Sequence, residues 1–168
     1  GAMKKFPILI FERPLNLHGK VSDLKLVMNC EISQRKTQIA LGLPKEMSRM
    51  EMAEACLEME ERRIPPIIID KKSAPVKEVV KVGSDVDLLD LPVMRHHEMD
   101  GGPYIVMVTV TRDRTTRIHN CSFHRMEIKS RNTTGCSASP RHLWKIYRDY
   151  EDNNLECPVA TVLGHHPA

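Results

Sequence analysis

The strongest strand signal in the chain is the β-branched, apolar run YIVMVTV at residues 104–110. A polar connection of hairpin length, DRTTR at 113–117, leads from it to a partner strand over 118–129. Upstream, FPILIF at 6–11 predicts a short buried strand whose Pro7 sits near a sheet edge, and NLHG at 16–19 predicts a turn. Residues 24–30 follow as a second strand. Ser33 is placed to cap a short helix through Leu41, closed by Gly42 and Pro44. SRME at 48–51 fits a capping box opening a helix to about Arg63, with Met52, Ala55, Cys56 and Met59 at helical spacing. Such a stripe is read as a core face, not a cofactor box.

Pro65-Pro66 ends that helix. Ile67, Ile68 and Ile69 then predict a short buried strand, and 76–82 another that stops at Gly83-Ser84. Residues 85–91 form one helical turn before Pro92, and 130–139 are loop. Pro140 suits the first position of a helix through Asp152, with Ser139 as its cap and Leu143, Ile146, Tyr147 and Tyr150 as its apolar face. Asn153-Asn154 closes it, and 159–163 is a last buried strand. The fold class is α+β, with an antiparallel hairpin at its centre. A first part spans 4–82 and a second 83–168.

At 168 residues the chain can bury one ordinary core. Its 25 Lys and Arg against 22 Asp and Glu leave a net charge of +3, too small to argue for nucleic acid. With aromatics at 4%, stacking platforms for single strands are also lacking. No apolar run approaches the ~18–20 residues that span a bilayer, and no signal peptide is read at the start, where Gly1-Ala2-Met3 resembles a tag scar. The five cysteines are scattered, with no C-x-x-C pair, which argues against a disulfide framework or zinc knuckle and for a reducing compartment, the cytoplasm.

Candidate chemistry concentrates in residues 100–142, where an amide, a guanidinium and an imidazole fall at strand ends or a helix start. Arg125 can grip a carboxylate or phosphate in bidentate fashion, which Lys cannot match. Asn120 lies five residues before it. Odd spacing on a strand sends the two to opposite faces unless a bulge intervenes. His142 falls in the first turn of a predicted helix, where free N–H groups attract anions. Asn120 and His142 together offer one oxygen and one nitrogen, a set suited to Mn2+ or Mg2+ bridging to a phosphate more than to structural zinc. The adjacent pairs His96-His97 and His165-His166 chelate poorly, because neighbours on an extended chain diverge. Cys121 reads as buried filler in preference to a nucleophile.

Taken in order, DLLDLP at 87–92, DGGPY at 100–104, Asn120-x4-Arg125, Pro140-Arg141-His142 and the ending VLGHHPA at 162–168 resemble the UbiD-type decarboxylases. PILIF at 7–11 and ALGL at 40–43 resemble that family's opening domain. These are prenylated-flavin enzymes that include ferulate and polyprenyl-hydroxybenzoate decarboxylases. The resemblance implies an opening α/β part leading into a flavin-reductase-like split β-barrel that holds the flavin phosphate. It implies prenylated FMN and a divalent metal, Mn2+ or Mg2+, with K+ as a further candidate ion. Asn120 and His142 would ligate the metal, and Arg125 would be the catalytic residue beside the flavin and the substrate carboxylate. Cys121, Ser122, Phe123, His124 and Arg141 would line the cofactor. The implied reaction is reversible decarboxylation of an aromatic or α,β-unsaturated acid, in a homo-oligomeric parent supplied with cofactor by a flavin prenyltransferase.

Family members run much longer. The metal-ligand glutamate and the two catalytic acids they place later have no counterpart here, so the chain is expected to be a fragment, incomplete at both ends and inactive alone. Two other readings stand beside this one: a split-barrel module binding ordinary FMN, and a non-catalytic interaction domain.

Overall fold

The computed structural model describes residues 7–30, 33–62 and 64–164. The chain forms two compact units. Of the described residues, one comprises 7–11 with Leu26–Asp85, the other Glu12–Lys25 with 86–164.

In the first unit, strand β1 (Leu9–Phe11) pairs antiparallel with β2 (Leu26–Met28). Helix α1 (Gln34–Ala40) starts where the hydroxyl of Ser33 accepts the Lys36 N–H, and the left-handed Gly42 (φ 68°) follows its end. Gln38 is almost fully buried. Its side-chain amide and that of Gln34 both donate to the carbonyl of Met47, at 2.8 and 2.9 Å, which fixes the turn into the next helix. That helix, α2 (Arg49–Glu61), opens on the expected capping box: Ser48 Oγ accepts the Glu51 N–H and Glu51 Oε2 accepts the Ser48 N–H at 2.7 Å. The carboxyl of Glu51 is held below its ordinary value by these bonds to Ser48.

The second unit is built on a four-stranded antiparallel sheet in the order β5-β4-β3-β6. Strand β3 (Tyr104–Arg112) pairs with β4 (His119–Ile128) over its whole length, β5 (Thr134–Cys136) adds to one side, and β6 (Val159–Val162) to the other. Arg117 takes a left-handed φ of 64° in the hairpin, whose Asp113 carboxylate accepts the N–H groups of Thr115 and Thr116. One face of the sheet carries Ile105, Met107, Met126 and Ile128, packed against Leu17, Leu88, Leu89, Leu91 and Val93. Helix α3 (His142–Asp152) is tied to the hairpin by Arg114, whose guanidinium bonds both oxygens of Asp149 at 3.0 and 3.2 Å. The Tyr150 hydroxyl donates to the Arg112 carbonyl, and Leu143 and Ile146 are buried beneath the helix.

The architecture is thus mixed α and β with antiparallel sheets, and no barrel closes among the described residues. Several sequence expectations differ. Residues 67–69 and 76–82 form no strand: Ile67 and Ile68 are about nine-tenths exposed, and 3-10 turns at Lys71–Ser73 and Pro75–Lys77 occupy this region instead. An apolar run becomes a strand only where a neighbour offers hydrogen bonds and a face to cover, and none does so here among the described residues. Strands β1 and β6 form but are exposed, not buried. The loop over 130–139 contains β5, which pairs with the end of β4 through Met126, Glu127 and Ile128. Helix α3 begins at His142 with Arg141 as its cap, two residues after the start expected at Pro140; Ser139 is not the cap, but its carbonyl accepts the Arg141 N–H at 2.7 Å.

Two side chains give direct tests of this packing. Thr109 is 1% exposed, and its hydroxyl has no hydrogen-bond partner. Thr109→Val keeps the shape and removes the unsatisfied group, so it should raise stability by roughly 1 kcal/mol in urea unfolding. Asp87 caps the 3-10 turn Leu88–Asp90 through the Leu89 N–H and meets His18 Nε2 at 3.2 Å and Arg131 Nε at 3.0 Å. Burial raises its pKa, yet these partners outweigh burial and hold the carboxyl below the ordinary 3.8. A depressed folded value stabilises above the unfolded pKa and is lost as pH falls through the folded one. Asp87→Asn should therefore lower Tm near neutrality, with the gap to wild type closing only below about pH 3.8.

Candidate functional site

Strand β4 sets the site. Its register with β3 runs without interruption from Tyr104↔Glu127 to Arg112↔His119, so it contains no bulge. Strand geometry then places Asn120, Ser122 and His124 on one face, in row with Met126 and Ile128, and Cys121, Phe123 and Arg125 on the other. The bulge that would have brought Asn120 and Arg125 to one face is absent.

The two are brought together differently. The Ile128 N–H bonds the Pro103 carbonyl and the Asp113 N–H bonds the Ile118 carbonyl, so even-numbered residues of this strand turn their backbone groups towards β3. The backbone groups of Cys121 and Arg125 therefore face the β5 side, where β5 covers only Met126–Ile128. A cavity of about 760 Å³ opens along this edge and is bordered by residues from both faces of β4. Asn120, Cys121, Ser122, Phe123, His124, Arg125, Arg141 and His142 all line it, with Val106, Ser137, Ser139 and Leu143. Val106 stands opposite Arg125 in the register; its apolar strand position carried no sign of a site. From sequence Ser137 reads as loop and Ser139 as a helix cap, and neither signals a site.

The cavity wall carries two guanidiniums, Arg125 and Arg141, two imidazoles, His124 and His142, and no carboxylate among the described residues. Such a wall is chemically suited to an anion. His142 occupies the first turn of α3, whose cap Arg141 provides no side-chain acceptor for the free N–H groups there. Asn120 and His142 also border a second cavity of about 310 Å³, so the two stand on the wall shared by both. Along β4, Asn120 Nδ2 donates to Ser122 Oγ at 3.2 Å, and Ser122 Oγ lies 2.9 Å from His124 Nε2. The amide oxygen of Asn120 and the imidazole of His142 are donors that fit a divalent ion of the Mn2+ or Mg2+ kind.

Other sequence candidates are placed elsewhere. Cys121 is exposed on the cavity wall, not buried filler. His96 and His97 are exposed and line neither cavity, and His165-His166 lie outside the described residues. The DGGPY motif is a packing device. Arg95 donates to the Glu98 and Asp100 carbonyls, the Asp100 carboxylate accepts the His97 N–H, and Gly102 lies against Glu127. The cluster His18, Asp87 and Asp90 joins the loop at 15–21 to the Leu88–Asp90 turn; His18 lies 69 residues from Asp87, and periodicity gives no hint of the contact.

The family model described as the 3-octaprenyl-4-hydroxybenzoate carboxy-lyase Rift-related domain matches residues 67–168. The chain belongs to the UbiD family. This UbiD-family chain is 32% identical to an anhydromevalonate phosphate decarboxylase of Methanosarcina mazei over 92% of its own length and 34% of the relative's. It is 27% identical to a phenolic acid decarboxylase of Sedimentibacter hydroxybenzoicus, covering 98% of this chain and 35% of that one. The UbiD-class enzyme HmfF from Pelotomaculum thermopropionicum, in complex with FMN, superposes with a TM-score of 0.78 at 28% identity, over 87% of this chain and 32% of HmfF. The vanillic acid decarboxylase of S. hydroxybenzoicus in its closed form gives 0.79, also at 28% identity, over 87% of this chain and 32% of the enzyme. The chain spans about a third of the length of the relatives it matches.

The glycine pair of DGGPY can be tested directly. A Cβ on Gly102 would lie 2.8 Å from Glu127 Oε1, and Glu127 is held by the Tyr104 hydroxyl and by Lys129 Nζ at 2.7 Å. Gly102→Ala should cost roughly 1–2 kcal/mol in chemical denaturation, because the carboxylate must give up one of those partners to make room.

Proposed function

We propose that this chain provides the flavin-phosphate and metal end of a UbiD-class decarboxylase site, on a sheet that forms part of a split β-barrel. One observation carries the reading. The residues of Asn120-x4-Arg125 and Arg141-His142, drawn from a strand and a helix start, border one cation-rich cavity. The cofactor is prenylated FMN, with Mn2+ or Mg2+ on its phosphate and K+ as a further ion; relatives of known structure hold FMN or prFMN. When bound, the prenylated flavin supplies the electrophilic centre that takes up the electrons left when CO2 departs.

The chain's own residues bind and orient. Arg141 and the free N–H groups at the start of α3 attract the phosphate, and Asn120 and His142 offer the oxygen and nitrogen that hold the divalent ion. Arg125, on the opposite face of β4, is the catalytic residue: its guanidinium grips the substrate carboxylate in bidentate fashion and holds it in place as C–C cleavage begins. Ser122, Phe123, His124 and Cys121 form the wall between these two ends. Among the described residues no carboxylic acid lines the cavity, so the proton that replaces CO2 has no donor of that kind among them, and the chain taken alone is expected not to turn over.

The substrate class is an aromatic or α,β-unsaturated carboxylic acid, and the reaction is reversible. A flavin prenyltransferase would supply the cofactor, and the working form is a cytoplasmic homo-oligomer, as the dimeric form of HmfF suggests by analogy.

Thermal unfolding with Mn2+ plus FMN, on wild type and on Asn120→Ala and His142→Ala, tests the half-site. A ligand that binds only the native state must raise its stability, by about 2.7 kcal/mol at a hundredfold excess over Kd. The expected result is a higher Tm in wild type that either substitution abolishes. No rise, or a rise that survives both substitutions, overturns the assignment.

A further inference from the structure

The row Asn120, Ser122, His124 does more than line the cavity. We infer that Ser122 and His124 are positioning residues that determine which end of the Asn120 amide faces the cavity. This rests on the reading of Asn120 as a metal ligand.

The argument is one of donors and acceptors. The three side chains stand at i, i+2 and i+4 on one face of a strand with no bulge, so they are consecutive neighbours in a single row. Asn120 Nδ2 contacts Ser122 Oγ, and Ser122 Oγ contacts His124 Nε2. A serine hydroxyl has one proton to give. If His124 Nε2 is unprotonated, that proton goes to the ring, and Ser122 can only accept from Asn120. The amide NH2 is then held along the row, and Oδ1, the atom able to ligate a cation, is left for the cavity. If Nε2 carries the proton instead, it donates to Ser122, whose hydroxyl is released to donate to Oδ1. The amide can then turn over and present its NH2 to the cation, which repels it.

With Nδ2 the end of the amide that meets Ser122, the row matches the first arrangement: His124 with its proton on Nδ1, Ser122 donating to Nε2, and Asn120 oriented oxygen-outward. Ser122 has a further reason to make both bonds. The hydroxyl of its cross-strand neighbour Thr109 makes no hydrogen bond, so Asn120 and His124 are the side-chain partners that Ser122 has. Second-sphere partners of this kind govern metal affinity through ligand orientation.

Two measurements on the intact chain test the inference. Without metal, long-range proton–nitrogen NMR over a pH series should find the neutral form of the His124 ring protonated on Nδ1 and bare on Nε2. A proton on Nε2 overturns the relay whatever the metal does. The second is Mn2+ titration followed by water-proton relaxation. Ser122→Ala should weaken binding by roughly tenfold, and Ser122→Thr, which keeps the hydroxyl, should restore it. In an Asn120→Asp background both ends of the side chain are oxygen, so orientation no longer matters and Ser122→Ala should have no further effect. An equal loss in that background would mark Ser122 as merely structural and overturn the inference. If wild type itself fails to bind Mn2+, the metal assignment of Asn120 falls, and the positioning role falls with it.

Discussion

The uninterrupted pairing of β3 with β4 is the constraint on which the second unit depends. A strand without a bulge keeps a strict period of two, so one register decision allocates every side chain of β4 to one of two faces. Met126 and Ile128 go to the core beside Ile105 and Met107, and the same row continues as His124, Ser122 and Asn120 towards the hairpin. The alternate row carries Glu127, Arg125, Phe123 and Cys121. A slip of one residue would bury Arg125 and Glu127 and expose the core methionine. Core stability and site composition are therefore fixed by the same hydrogen-bond ladder.

The rest of the unit brings cations to that ladder. Arg114 and Tyr150 dock α3 against the hairpin, which sets the helix start beside the open edge of β4. Because β5 pairs only with the last three residues of β4, the edge next to Arg125 stays accessible, and the cavity forms there. Among the described residues no carboxylate lines this wall beside its two guanidiniums, a composition chemically suited to an anion.

The first unit follows a different logic. Its helices are held mainly by local devices, the Ser33 and Ser48 caps and the two glutamines on the Met47 carbonyl, and α2 buries no residue fully. Ile67, Ile68, Val76 and Val79 stand in solvent. Apolar side chains in such a run gain nothing from the position the structure gives them. The relatives this chain matches are about three times as long.

Local chemistry was legible in the sequence. The capping box at Ser48, the cap at Ser33, the turn at 16–19, the β3–β4 hairpin and the close of α3 at Asn153 each depend on residues within a few positions of one another, whose hydrogen bonds the order of the chain prescribes. The residues Asn120 to Arg125 with Arg141 and His142 could be picked out by type and by resemblance. Whether Ile67 to Ile69 or residues 76–82 became strands could not, since that depends on a partner elsewhere. Nor could the sequence place Asn120 and Arg125 on one cavity: period-two geometry sends them apart, and only an edge left open by a three-residue β5 lets both faces reach the same space. The His18–Asp87–Arg131 junction and the Asn120–Ser122–His124 row likewise needed the fold. The first joins segments some seventy residues apart, and the second has direction only once β4 is known to run straight. Sequence determined the local bonds and the chemical inventory; tertiary structure decided which edges were covered, and therefore where that inventory meets.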